Sequence, residues 1–227
     1  REVHMPNTIT PPGTEDVRIP VGAAILPGVL EYPEHPCGLV LFAHGSGSSR
    51  LSVRNTRVAA TLREAGLGTL LFDLLTEEES RFRTNVFDIP LLADRLVAAT
   101  TWIRGFEPDL PVGYFGASTG AAAALVAAAR LPREVRAVVS RGGRPDLAHE
   151  HLARVQAPTL LLVGERDPDV LGLNRDALHA LTCEKRLVVI PGASHLFEEG
   201  TTLAQAASAA QHWFVSHLPS GSSRPCR

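Results

Sequence analysis

The sequence lacks the marks of several protein classes. It has no charge excess: 24 acidic residues against 22 Lys and Arg leave a net charge of −2. That balance gives no argument for nucleic acid or an anionic membrane surface as a partner. No apolar run approaches the length of a membrane span. Residues Arg1 to Gly13 hold three prolines and no apolar core, and as they stand they do not read as a signal peptide. There are only three cysteines, Cys37, Cys183 and Cys226, an odd number without metal-ligand spacing. Reduced thiols in a cytoplasmic protein are therefore expected, with no metal site among them. Cys37 and Cys183 read as packing residues near element ends, and Cys226 as part of a polar tail. No internal repeat, low-complexity segment or insertion large enough for a cap domain interrupts the chain. What is there is 227 residues, 44% hydrophobic, enough for one α/β domain with a full core. Residues 1–13 and 219–227 are expected to be flexible tails.

Short apolar runs alternate with helical patterns. Val17–Ile19 and Ala23–Leu26, separated by Pro20 and Gly22, read as a leading antiparallel hairpin. Gly38–Ala43, Thr69–Phe72, Val112–Phe115, Val135–Val139, Thr159–Val163 and Arg186–Ile190 read as strands, several of them continuously apolar, as strands buried on both faces are. Between them, helices are expected over Asn55–Ala65, Leu91–Phe106, Ala121–Arg130, Leu147–Val155, Leu171–Leu181 and Leu203–Leu218. Such alternation predicts a mostly parallel, doubly wound sheet with helices on both faces. Leu74–Pro90 is the longest irregular stretch, and its Glu77-Glu78-Glu79 run reads as a solvated loop face.

The chain is organised around Gly116-Ala117-Ser118-Thr119-Gly120, between the apolar run Pro111–Phe115 and the Ala-rich helix that follows. A serine between two glycines on a strand-to-helix turn is a nucleophile elbow. In a parallel sheet, ligands bind at the carboxyl ends of the strands. Two further residues sit there: Asp167, after Thr159–Val163, and His195, after the last strand. A serine hydroxyl is a weak nucleophile at neutral pH. A histidine can take its proton, and a carboxylate can fix the imidazole tautomer. Ser118, Asp167 and His195 are thus the candidate catalytic residues. At the Asp167 loop, Glu165 and Asp169 are alternatives for the carboxylate, with Asp167 then serving as a helix cap.

The loop His44-Gly45-Ser46-Gly47 follows the first buried strand, where a second oxyanion donor would lie. The backbone amides of Ser46 and Thr119 are the candidate oxyanion hole, with Gly47 as the alternative to Ser46. His44 reads as a brace for this loop rather than as a base, and Asp73 as structural. Arg141 sits in the Ser-Arg-Gly-Gly-Arg loop after Val135–Val139. With Arg50, Arg81 and Arg83 on the same side, it is a candidate for holding an anionic substrate group. The competing reading is a surface salt bridge to Glu77–Glu79 or Asp146. His44, Gly47 and Arg141 are accordingly the candidate substrate contacts.

At these residues the chain resembles the α/β-hydrolase superfamily, and within it the small, capless dienelactone hydrolase-like group. The stretches 42–50 (Phe-Ala-His-Gly-Ser-Gly-Ser-Ser-Arg), 70–76 (Leu-Leu-Phe-Asp-Leu-Leu-Thr), 116–120, 140–147 (Ser-Arg-Gly-Gly-Arg-Pro-Asp-Leu) and 191–197 (Pro-Gly-Ala-Ser-His-Leu-Phe) carry the resemblance over nearly the whole chain. It implies an α/β-hydrolase fold, the Ser118–Asp167–His195 order, and a small-molecule ester or lactone substrate without nucleic acid, membrane or cofactor. It leaves open a monomer or a small homo-oligomer. Dienelactone hydrolase proper uses a cysteine nucleophile and a glutamate in the loop after the first buried strand. Here the elbow holds Ser118 and His44–Gly47 has no carboxylate, so general serine ester hydrolysis is what the resemblance implies. An amidase, peptidase or acyltransferase with the same residues, or a non-catalytic binding protein on this fold, are the alternatives.

Overall fold

The computed structural model describes residues 13–218. Eight strands form one sheet in the order β1-β2-β4-β3-β5-β6-β7-β8. They are β1 (Gly13–Val21), β2 (Ala24–Tyr32), β3 (Leu39–Ala43), β4 (Gly68–Phe72), β5 (Val112–Ala117), β6 (Val135–Arg141), β7 (Thr159–Gly164) and β8 (Lys185–Ile190). β1 and β2 are the expected hairpin, and β2 pairs antiparallel with β4. From β4 to β8 every pairing is parallel. The helices are α1 (Val53–Glu64), α2 (Glu77–Ser80), α3 (Arg83–Val86), α4 (Ile89–Arg104), α5 (Thr119–Arg130), α6 (Pro168–Ala180) and α7 (Thr202–His217). Pro145–Arg154 is 3₁₀ helix broken by a kink at His149, where a short helix is expected.

The period-two alternation of strand side chains splits the core into two layers. Leu39, Leu41 and Ala43 of β3 join one cluster with α4 and α5, whereas Val40 and Phe42 join the other with α1 and α7. Both faces of β3 and β5 are therefore buried, which is why these strands carry continuous apolar runs.

Three loop expectations change. Leu74–Pro90 is not irregular: Thr76 caps α2 through a capping box with Glu79, and Asp88 caps α4. The acidic run is not uniformly solvated either. The Glu79 carboxylate pairs at 2.5 Å with Arg95, whose side chain α4 buries. Helical periodicity in α4 places Arg95 on the core side, so a carboxylate is required nearby. Third, β6 extends through Arg141, so Arg141 is a strand residue and not a loop residue. Its backbone continues the ladder with β5 and β7.

The expected tails lie outside the described residues, except that Gly13 already begins β1. Cys37 is disulfide-bonded, against the expectation of reduced thiols, whereas Cys183 is free. Sequence spacing does not report which sulfurs are close in space. Cys226 lies outside the described residues. No helix among the described residues is long and apolar enough to cross a membrane.

Candidate active site

The strand order reverses beside β3: the chain leaves β3 for β4 on one side and returns to β5 on the other. The carboxyl ends of β3 and β5 thus border a crevice at a topological switch point. The loops carrying Gly45 and Ser118 open into it. Ser118 adopts φ 52°, ψ −123°, a conformation that L residues rarely occupy. It is held there on both sides, by its N–H donating to the Arg141 carbonyl and by the Arg144 N–H donating to its own carbonyl. Both elbow glycines are sterically required. A Cβ on Gly116 would come within 2.4 Å of Ala121 Cα, and one on Gly120 within 2.2 Å of the Ala43 carbonyl oxygen. Gly45 lets its loop lie against the elbow, since a Cβ there would stand 2.9 Å from Ser118 Cβ.

β7 and β8 bring Asp167 and His195 together. The loops after these strands are joined by the Glu165 N–H to the Ile190 carbonyl and the Arg166 N–H to the Ala193 carbonyl. Asp167 occupies the N-cap position of α6, yet its side chain makes no capping hydrogen bond. Its Oδ2 lies 2.6 Å from His195 Nδ1 instead. Glu165, one alternative carboxylate, accepts from the Gly192 N–H. The Asp167 side chain is 14% exposed and that of His195 40%, so the acid is sheltered while the imidazole reaches solvent. Ser118 and His195 are walls of the same cavity of about 260 Å³, together with Gly45, Ser46, Arg54, Asn55 and Arg141.

On the other side of the Gly45–Ser48 loop lies a cavity of about 620 Å³. His44, Gly47 and Thr119 line it, with Leu74, Leu75, Val86 and Leu92 as apolar walls. The Leu74 N–H donates to His44 Nε2, so Nδ1 carries the proton that faces the Gly45 carbonyl. Burial holds the His44 pKa below its ordinary value. The imidazole of His44, with both nitrogens engaged, thus ties Gly45 to Leu74. The Ser46 N–H donates to Thr119 Oγ1 at 3.0 Å. Thr119, as the first residue of α5, has no helical acceptor for its own N–H.

Of the four arginines on this side, two pair with carboxylates. Arg50 pairs with Asp73, Arg81 pairs with Glu77, and Arg83 lies over the Phe87 ring. Asp146 pairs with Arg144, not with Arg141. Arg141 is buried and donates through Nη2 to Asn55 Oδ1. Sequence reasoning did not single out Asn55. Its signal was there: it precedes Val58, Ala59 and Leu62 at helical spacing, so a polar side chain falls on the buried face of α1.

The model of an alpha/beta hydrolase domain matches residues 36–213. The chain belongs to the alpha/beta hydrolase family. The crystal structure of a dienelactone hydrolase from Anabaena variabilis is similar, with a TM-score of 0.87 at 56% identity, covering 91% of this chain and 99% of that one. An a/b serine hydrolase without lid from Xanthomonas campestris has a TM-score of 0.77 at 25% identity, covering 94% and 99%. A Mycobacterium tuberculosis protein named "Putative phosphoribosyl transferase" is 58% identical over 214 residues, which are 91% of this chain and 48% of that protein. The chain therefore spans about half the length of that relative. The resemblance to the dienelactone hydrolase group and the capless α/β-hydrolase fold both hold.

Proposed function

We propose that this hydrolase cleaves carboxylic esters, lactones included, through an acyl-enzyme on Ser118. The observation that carries the reading is the 2.6 Å contact between His195 Nδ1 and Asp167 Oδ2 at the cavity that Ser118 lines. Asp167 accepts the Nδ1 proton, which leaves Nε2 as the basic nitrogen. Ser118 Oγ attacks the ester carbonyl carbon while His195 takes the hydroxyl proton. The N–H groups of Ser46 and Thr119 receive the developing oxyanion, aided by the positive end of α5. The C–O bond to the leaving alcohol breaks as His195 returns the proton to it. Water then attacks the acyl group, gives a proton to His195, and releases the acid and Ser118. The larger cavity, with its leucine walls, accommodates the bulkier arm of the substrate.

We assign the transferase name of the mycobacterial relative to the half of that protein which this chain does not span. The test is labelling with a fluorophosphonate probe and peptide mapping, with Ser118→Ala alongside. Labelling confined to Ser118 and lost in the variant is expected. Unlabelled, well-folded protein would instead favour a non-catalytic binding role. Paired ester and amide substrates, and added acceptor alcohols, then separate the esterase from an amidase or an acyltransferase.

A further inference from the structure

Arg141 is 7% exposed at the end of β6. Its guanidinium lies over Phe115 at 5.6 Å and Phe197 at 5.9 Å, measured to the ring centroids. Its hydrogen bond to Asn55 is to a neutral amide, and Nη1 has no hydrogen-bond partner. No carboxylate among the described residues pairs with it. The charged side chain that acts on it most is another cation, Arg54, and burial together with Arg54 pulls its pKa down to about 10. Arg54 itself reaches the exposed Glu198 at 2.7 Å. Arg141 thus remains a cation at neutral pH, in a place where burying a charge is costly and no carboxylate among the described residues offsets it. The π faces of two rings hold it in place without neutralising it. Both arginines line the 260 Å³ cavity with Ser118 and His195.

We propose that this cavity is an anion subsite, and that the ester substrate carries a carboxylate or phosphate-type group which Arg141, with Arg54, holds while the ester carbonyl sits at Ser118. The inference rests on the ester-hydrolase reading and narrows its substrate class. The small cavity takes the anionic arm, and the larger leucine-walled cavity takes the uncharged one. An incoming anion supplies the missing counter-charge, and the sheltered position makes that pairing stronger than it would be in water.

The test is the ratio of kcat/KM for an anionic ester to that for its neutral twin, read by pH-stat. The pairs are monomethyl against dimethyl succinate for carboxylate, and methyl against trimethyl phosphonoacetate for the phosphate type. The wild type is expected to favour one anionic member by at least about 10-fold, and that member names the anion. Arg141→Met is expected to lower this ratio by about 10- to 100-fold, and Arg141→Lys by less, because it keeps the charge but not the fork. Should Arg141→Met fail to fold, Arg54→Gln reads the same ratio from the solvent side, with a fall of about 2- to 5-fold expected. A wild-type ratio near one for both pairs, or a preference that persists in Arg141→Met, overturns the proposal. If no ester is cleaved and Ser118 is not labelled, the hydrolase reading fails separately. The subsite is then tested by calorimetric titration of succinate and inorganic phosphate. Binding that Arg141→Met abolishes supports it, and no binding to the wild type overturns it.

Discussion

The Ser46 N–H donates to the Thr119 hydroxyl at 3.0 Å, joining two residues 73 positions apart. The loop after β3 is thereby tied to the first turn of α5, and the amide proposed to stabilise the oxyanion already has an acceptor in the resting site. Thr119 accordingly acts on the proposed reaction through its side chain as well as its backbone. Thr119→Ala removes that tie, and one neutral hydrogen bond is worth about 0.5–1.5 kcal/mol. Its kcat for a short ester is expected to fall by about 2- to 10-fold, with Thr119→Ser restoring most of the loss. An unchanged kcat in Thr119→Ala would make the contact incidental.

Replacing Asp167 by Asn keeps the shape of the acid but removes its charge and disturbs the tautomer it selects. A fall in kcat of about 10³- to 10⁴-fold is expected in steady-state kinetics. Glu165→Gln, at a carboxylate that accepts from the Gly192 N–H, is expected to have a far smaller effect. Comparable losses in the two variants would reassign the carboxylate.

The backbone at Ser118 is strained in a way that glycine relieves. Its φ of 52° and ψ of −123° match a turn position that glycine favours. Ser118→Gly is expected to melt about 2–4 °C above Ser118→Ala, which keeps the Cβ and its strain of about 1 kcal/mol. Equal melting temperatures would mean that the elbow stores no strain.

Glycines divide by what surrounds them. Gly120→Ala would drive a Cβ into the Ala43 carbonyl and is expected to cost about 3 kcal/mol or more in urea unfolding. Gly172 lies within α6, and a Cβ there meets nothing within 4 Å. Gly172→Ala is expected to stabilise by about 0.5–1 kcal/mol. A destabilised Gly172→Ala would contradict the open space at that position.

His44 makes stability depend on pH. Burial lowers its folded-state pKa, outweighing the opposite pull of the Gly45 hydrogen bond and Asp73. The unfolded chain therefore binds more protons below its ordinary pKa of about 6.5. The stability tied to a neutral His44 is complete above that pH and is lost as pH falls from there towards the folded-state pKa. Urea midpoints between pH 5 and 8 are expected to slope less steeply in His44→Gln than in the wild type. Identical slopes would remove His44 from the acid response.

Several elements are legible in the sequence because their causes are local. The turn at Gly116–Gly120 announces itself through a serine between glycines, and the buried strands through apolar runs that need no partner to be recognised. The positions of Asp167 and His195 follow from strand ends, since a parallel sheet gathers them on one edge. Other features depend on contacts made across the sequence. Glu79 reads as one of three solvated acids, and only the packing of α4 brings Arg95 against it. Cys37 reads as a reduced packing residue because spacing along the chain does not report distance through space.

The order of elements, the fold and the candidate chemical residues were readable from the chain, because periodicity, turn chemistry and strand ends are written in neighbouring positions. Which charges are compensated was settled by packing in three dimensions. Arg50, Arg81 and Arg141 are alike as letters. Folding gives the first two carboxylates within reach and gives Arg141 two aromatic rings and an amide. Coulomb energy and burial depend on separations in space, and the chain acquires those separations only when β6 is laid beside β5.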